Sequence, residues 1–155
     1  MATGRVLNLH RAVGHSPALL EAFANLALAL RNRAQTSRSL REFVILRVAQ
    51  LTDSEYELAQ HLPMARACGI SEEQLGKLAA WRQDPTLFGA ETCAALAYAE
   101  ELVGNRVNNS TFETLRAHFG SAQIIELTLT ATFYVMTALT IRALDLSPEK
   151  AEGNG

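Results

Sequence analysis

Apolar residues recur at intervals of three and four along most of the chain, and the breaks between them carry helix-start and helix-stop signals rather than strand turns. Ser16-Pro17 opens a first segment, with Leu19, Leu20, Phe23, Leu26 and Leu30 as its apolar stripe, ending near Asn32 to Gln35. Ser39-Leu40-Arg41-Glu42 has the form of a capping box for a second helix to about Leu51. Thr52-Asp53-Ser54-Glu55 has the same form for a third, which Gly69 can close. Ser71-Glu72-Glu73-Gln74 begins a short fourth helix ending near Trp81, and a fifth runs from about Ala90 to Val103 with Gly104 beyond it. Ser110 to Glu113 starts a sixth that Gly120 stops, and Ser121 caps a long seventh to about Leu144, ahead of Ser147-Pro148.

The seventh segment sets local propensity against length. Its β-branched residues favour strand, but it runs from Ser121 to Leu144 without a turn signal, far too long for one strand, so the pattern predicts a helix. No alternation bounded by Gly or Asn turns and no internal repeat occurs elsewhere, which makes the fold class all-α with about seven helices. A chain of 155 residues that is 48% hydrophobic is expected to bury one core. The domain prediction is therefore a single unit over 1–155, with an N-terminal arm over 1–15 and a tail over 149–155 that frays.

Charge and cysteine usage narrow the partners. The formal net charge of -2 provides no basic field, so nucleic acid is not an expected partner. The apolar stretch from Ile124 to Ile141 contains Glu126 and five threonines, and is expected to be a buried helix rather than a membrane span. Met1 to Arg11 lacks the order of a secretion signal, and Cys68 and Cys93 are too far apart to form a redox or metal motif. A cytoplasmic chain with two buried structural thiols is expected.

Candidate chemistry concentrates on the third helix. At 100° per residue, Ser54, Glu57, His61, Ala65 and Cys68 project within a sector of roughly 80°. Glu57 and His61 lie one turn apart, so the carboxylate can accept a hydrogen bond from the imidazole and favour its protonated form. An exposed Glu/His pair at this spacing is also a common solvent-face arrangement, and spacing alone leaves both readings open. Glu42 can hold its own helix end as the third residue of a capping box, or serve as an acid–base group. Arg47 lies on the stripe of Leu40, Phe43, Val44, Val48 and Leu51, where a guanidinium needs a carboxylate from the protein or from a substrate. Tyr56 and Tyr134 can each donate to an oxyanion or simply pack, and Tyr56 is the candidate retained. His10 and His15 match no zinc signature in their spacing, so no metal is expected.

Taken together, Arg41-Glu42, Ser54-Glu55-Tyr56-Glu57 and His61, followed by Ala65-Arg66 and Gly69, resemble the signature of the carboxymuconolactone decarboxylase / alkylhydroperoxidase D-like superfamily over about Leu40 to Leu75. In the alkylhydroperoxidase D-like branch that signature is a Glu, a spacer, Cys-x-x-Cys, a short gap and a His. Glu42 fits the Glu and His61 the His, while Ser54 and Glu57 stand where the cysteines would be. Cys68 lies on the same helical face but about 10 Å along the axis from His61, too far to be activated by it. The decarboxylase branch carries Glu-Leu-x-x-His, matched here by Glu57-Leu58-Ala59-Gln60-His61.

The resemblance implies a cofactor-free acid–base enzyme, decarboxylase-like, acting on a small organic acid or lactone. His61 would be the general acid, Glu57 the group that orients and charges it, Glu42 a second acid–base residue, and Arg47, Tyr56 and Ser54 substrate contacts. Alternatives are a peroxidase-like activity, which lacks its cysteine pair, and a non-catalytic small-molecule binder. The resemblance further implies a homo-oligomer, a trimer or hexamer, with the seventh helix as its interface.

Overall fold

The computed structural model describes residues 6–149, and among them nine α-helices and one 3₁₀ segment hold almost all of the chain, with no strand. In chain order these are α1 Asn8–Val13, α2 Pro17–Asn32, α3 Arg38–Leu51, α4 Glu55–Ala67, α5 Glu72–Lys77, the 3₁₀ segment Leu78–Gln83, α6 Pro85–Phe88, α7 Ala90–Val103, α8 Asn109–His118 and α9 Ser121–Ala143. The all-α expectation holds, and the seven anticipated helices lie within two residues or so of their predicted starts. The additions are α1 and α6, of six and four residues, too short for periodicity to reveal.

The central element is α3, which packs against α4, α7 and α9. Nine of its residues are buried, among them Val44 and Val48 at 0% exposure. On α7, the small residues Ala94, Ala95 and Ala99 let it approach α3 closely, and Leu127 and Ala131 of α9 complete that layer. A second apolar layer joins Phe43 and Leu46 of α3 to Ala65, Ile70, Leu78, Trp81, Phe88 and Leu96. Each of the larger side chains contributes on the order of 2 kcal/mol by leaving water.

Local signals place the two helices that matter most. Ser37, not Ser39, caps α3, its hydroxyl accepting from the Leu40 N–H at 3.2 Å. The two serines offer equivalent cap chemistry two residues apart, and their hydroxyls lie 3.2 Å from each other. Glu42 is thereby released from capping duty and sits in the second turn, facing inward. Likewise Ser54 is the α4 cap, and the Thr52 hydroxyl instead returns to the Val48 carbonyl at 2.8 Å. Between them Asp53 adopts φ 50°, the left-handed conformation that short polar side chains tolerate, and this tight reversal folds α4 back along α3.

The long α9 is apolar enough, by length and composition, to cross a membrane, but one face of it is core. Leu127, Thr130, Ala131, Phe133, Thr137, Ala138 and Ile141 are buried, while Ile125, Leu129, Met136 and Leu139 form an exposed stripe. At the chain ends, α1 and the segment after α9 hold one another. The Asn8 N–H donates to Glu149 at 2.5 Å, and the Asn8 side chain donates to the Ser147 carbonyl at 3.0 Å. Glu149, expected to belong to a fraying tail, is thus tied to α1; the remainder of that tail and residues 1–5 lie outside the described residues.

Candidate active site

Glu42, His61 and Glu57 stand in a row between α3 and α4. Glu42 is wholly buried, and one of its oxygens accepts from Arg38, four residues earlier on α3. Its other oxygen lies 2.8 Å from His61 Nδ1. The opposite ring nitrogen, His61 Nε2, is 3.5 Å from Glu57 Oε2, and both of these residues are 4% exposed. Neither pairing is the solvent-face arrangement that spacing left open.

The buried row constrains its own protons. Burial first, and the nearby Glu42 carboxylate second, push the Glu57 carboxyl up to about 8 from its ordinary 4.5. At neutral pH Glu57 therefore keeps a proton. Hydrogen-bond logic then puts a hydrogen on His61 Nδ1, donated to Glu42, and leaves Nε2 bare toward the Glu57 proton. Such an orientation by a carboxylate fixes the imidazole tautomer and its plane. Tyr134 of α9 stands edge-on to the ring, centroids 4.8 Å apart at 88°, and burial raises its phenol so that the hydroxyl remains a donor.

Glu57 and His61 open onto a cavity of about 450 Å³ between α1, α2, α4 and α9, a size suited to a small organic molecule. Its apolar wall comes from Leu9, Phe23, Phe133 and Tyr134, and Arg31 of α2 also lines it. Pro63, in the interior of α4, has no N–H to give the Ala59 carbonyl, and both residues border the same space.

The remaining predicted residues take other places. Arg47 does not line the cavity; its Nε donates to Glu100 at 2.6 Å and its Nη1 to Gln50 at 3.0 Å, so the protein itself supplies the carboxylate this guanidinium needs. Ser54 also lies off the cavity wall, and its side chain accepts from the Glu57 N–H as the α4 cap. Tyr56 does border the cavity, but its hydroxyl donates to Glu149 at 2.7 Å and accepts from the Leu9 N–H at 3.4 Å. His10 lines the cavity as well, and among the described residues no three His, Cys, Asp or Glu side chains have metal-holding geometry.

Cys68 and Cys93 are free, half-buried thiols away from the cavity. Burial raises both, with Glu42 adding to the effect at Cys68, so neither is poised as a thiolate. Sequence reasoning passed over Arg31 and Arg38, and weighed Tyr134 only to retain Tyr56 in its place. Only Arg38 carried a local signal, its spacing of four residues from Glu42.

The all-α fold matches that of alkylhydroperoxidase D-like proteins. The carboxymuconolactone decarboxylase family model matches residues 17–101, and the chain belongs to that family. It is 26% identical over 100 residues to the uncharacterized protein YdfG of Bacillus subtilis (strain 168), covering 63% of this chain and 67% of that protein. Its fold is similar to the alkylhydroperoxidase AhpD core of an uncharacterized peroxidase-related protein from Ralstonia eutropha JMP134, at TM-score 0.81 and 19% identity over 96% of this chain and 80% of that one. It is also similar to the debrominase Bmp8 in complex with 2,3,4-tribromopyrrole, at TM-score 0.84 and 16% identity over 95% of this chain and 79% of that one.

Proposed function

We propose that this chain is a decarboxylase-like enzyme that performs acid–base chemistry on a small organic acid or lactone without a cofactor. The observation that carries the reading is the buried Glu42–His61–Glu57 row whose last two members face a cavity of about 450 Å³. In the reaction, the bond to a substrate carboxylate breaks, carbon dioxide leaves, and the electron pair moves into a conjugated carbonyl. Glu57, protonated at neutral pH, delivers a proton to the resulting enolate carbon. His61, oriented by Glu42, takes up a proton from solvent at its bare Nε2 after the product leaves and passes it to Glu57, which restores the starting state. Tyr134 donates to negative charge as it develops on the substrate oxygen. The proton donor is thus Glu57 rather than the His61 expected from sequence, because burial keeps the Glu57 carboxyl protonated.

The peroxidase-like alternative finds support in the description of the Ralstonia eutropha neighbour and meets the obstacle that Ser54 and Glu57 occupy the cysteine positions. A screen of carboxylated lactones, keto acids and hydroperoxides against wild type, His61→Ala and Glu57→Gln separates the readings. Product from an acid or lactone, lost in both variants, supports the proposal. Hydroperoxide turnover coupled to thiol oxidation, with inertness toward every acid, overturns it.

The proposal extends to a homo-oligomer, a trimer or hexamer, joined through the outer stripe of α9. Ile125, Leu129, Met136 and Leu139 are each more than 40% exposed and recur on one helical face. Light scattering on wild type and Leu139→Lys tests this: a wild-type trimer or hexamer that the substitution dissociates supports the interface, and a wild-type monomer contradicts it.

A further inference from the structure

Outside the acid–base row two charged groups meet the cavity: the Arg31 guanidinium on its wall, and the Glu149 carboxylate bonded to Tyr56 and Gln60 of that wall. Glu57 is the one carboxylate lining it among the described residues, and at neutral pH it is protonated. Glu42 lies behind His61 and is already matched by Arg38. Arg31 is the one arginine or lysine on the wall, and it makes no ion pair among the described residues. Arg38, Arg47, Arg66, Arg82 and Arg116 each have a carboxylate partner, and Arg11, Arg33, Arg41, Arg106 and Arg142, which form no ion pair among the described residues, lie off the cavity wall. The cavity therefore presents a solvent-exposed guanidinium with no carboxylate partner among the described residues, together with neutral donors from Glu57 and Tyr134.

Arg31 is anchored at its backbone. Its carbonyl accepts from Nη2 of the buried Arg41 at 3.2 Å, and Arg41 also donates to the Thr36 hydroxyl at 2.9 Å and to the Thr36 carbonyl. These bonds fix the end of α2 against α3. The Arg31 guanidinium lies 3.9 Å from Met64 Sδ, one turn beyond His61 on α4, and its charge is felt at the Tyr134 hydroxyl. Beside it runs a row of rings along one wall: Phe23 and Phe133 with centroids 4.7 Å apart, Phe133 and Tyr134 at 5.4 Å, and Tyr134 and His61 at 4.8 Å. The ring planes meet at 38°, 78° and 88°, so a row of tilted aromatic faces and edges leads from the cation toward the acid–base pair.

We infer that Arg31 is the specificity-determining residue of the cavity, selecting a conjugated or aromatic carboxylate whose carboxyl group pairs with the guanidinium while its ring packs against the angled faces and edges of Phe23, Phe133 and Tyr134. The inference rests on the reading of this cavity as the reaction site. A guanidinium is the side chain suited to a carboxylate because it can offer two parallel N–H donors to both oxygens, which an ammonium cannot. A neutral analogue of the same shape keeps the ring contacts and forfeits the charge-assisted bonds.

Calorimetric titration with benzoate and with its neutral isostere benzamide, on wild type, Arg31→Met, Arg31→Lys and His61→Ala, tests the assignment. Wild type is expected to bind benzoate about tenfold more tightly than benzamide, Arg31→Met to lose that preference with benzamide affinity unchanged, and Arg31→Lys to keep part of it. Because only the Arg31 side chain changes, the backbone anchor from Arg41 is preserved in each variant. Equal binding of the two probes by wild type, equal weakening of both by Arg31→Met, or no binding of benzoate at millimolar concentration overturns the inference. Binding and turnover fail separately. If His61→Ala retains the benzoate preference while no acid is turned over by wild type, the acid–base reading falls and the selectivity stands. If turnover depends on His61 but Arg31→Met changes nothing, only the selectivity falls.

Discussion

Glu57→Gln should reverse the usual expectation that losing a buried charged group destabilises a protein, and should do so only at higher pH. In the folded chain the Glu57 carboxyl holds its proton up to about pH 8, whereas the unfolded chain releases it near 4.5. Between those values the native state binds more protons than the unfolded state, so stability from this group is full below pH 4.5 and is lost as pH rises through about 8. At about 1.4 kcal/mol per pH unit the total is on the order of 5 kcal/mol. Glutamine imitates the neutral carboxyl at every pH. Urea unfolding of wild type and Glu57→Gln from pH 5 to pH 8 should therefore show similar stability at the acid end and a widening advantage for the variant toward pH 8. A difference that stays flat with pH would refute the claim that burial keeps this carboxyl protonated.

Three other substitutions probe the surroundings. Arg47→Met should leave ligand binding and turnover intact, because Arg47 serves Glu100 rather than the cavity; a selective loss of substrate affinity in steady-state kinetics would return it to the site. Glu149→Ala removes the acceptor shared by Tyr56, Gln60 and the Asn8 N–H, and should speed amide exchange over Asn8–Val13 at least severalfold while the core amides of α3 are unchanged. Unaltered protection of α1 would mean that its apolar contacts through Leu9 suffice. Thr130→Val tests a small cavity of about 10 Å³ bordered by Thr130 and Arg41, whose Thr130 Oγ1 and Arg41 Nε have no partner among the described residues. If a single water bridges them, the variant loses about 1 kcal/mol in chemical unfolding; a gain in stability would indicate a dry space.

How far the structure was legible in the sequence depended on how local each determinant is. The helix Ala90–Val103 was read to the residue because Gly89 and Gly104 bracket it. The start of α3 was misplaced because Ser37 and Ser39 offer the same cap chemistry within two residues. The Glu57–His61 pair was visible as spacing on one helix, but its burial depends on α9 and α2 closing over α4, which no local pattern encodes. For the same reason Glu42 was legible as a candidate without its partner, and the 2.8 Å contact with His61 emerged only from the reversal at Asp53. Arg31 and Tyr134 belong to helices distant in sequence from α4, and only tertiary structure gathers them. Arg47 misled because its apolar stripe announced burial without saying which carboxylate would meet it.

The central claim is that a carboxyl on the cavity wall holds the working proton at neutral pH, beside an imidazole oriented by a second carboxylate. Its most direct test is a ¹³C NMR titration of the Glu57 side-chain carboxyl in the intact protein, assigned by comparison with Glu57→Gln. A midpoint close to pH 8, moving down when Glu42→Gln removes the neighbouring charge, is the predicted result. A midpoint near the ordinary 4.5, indifferent to Glu42, would contradict the account.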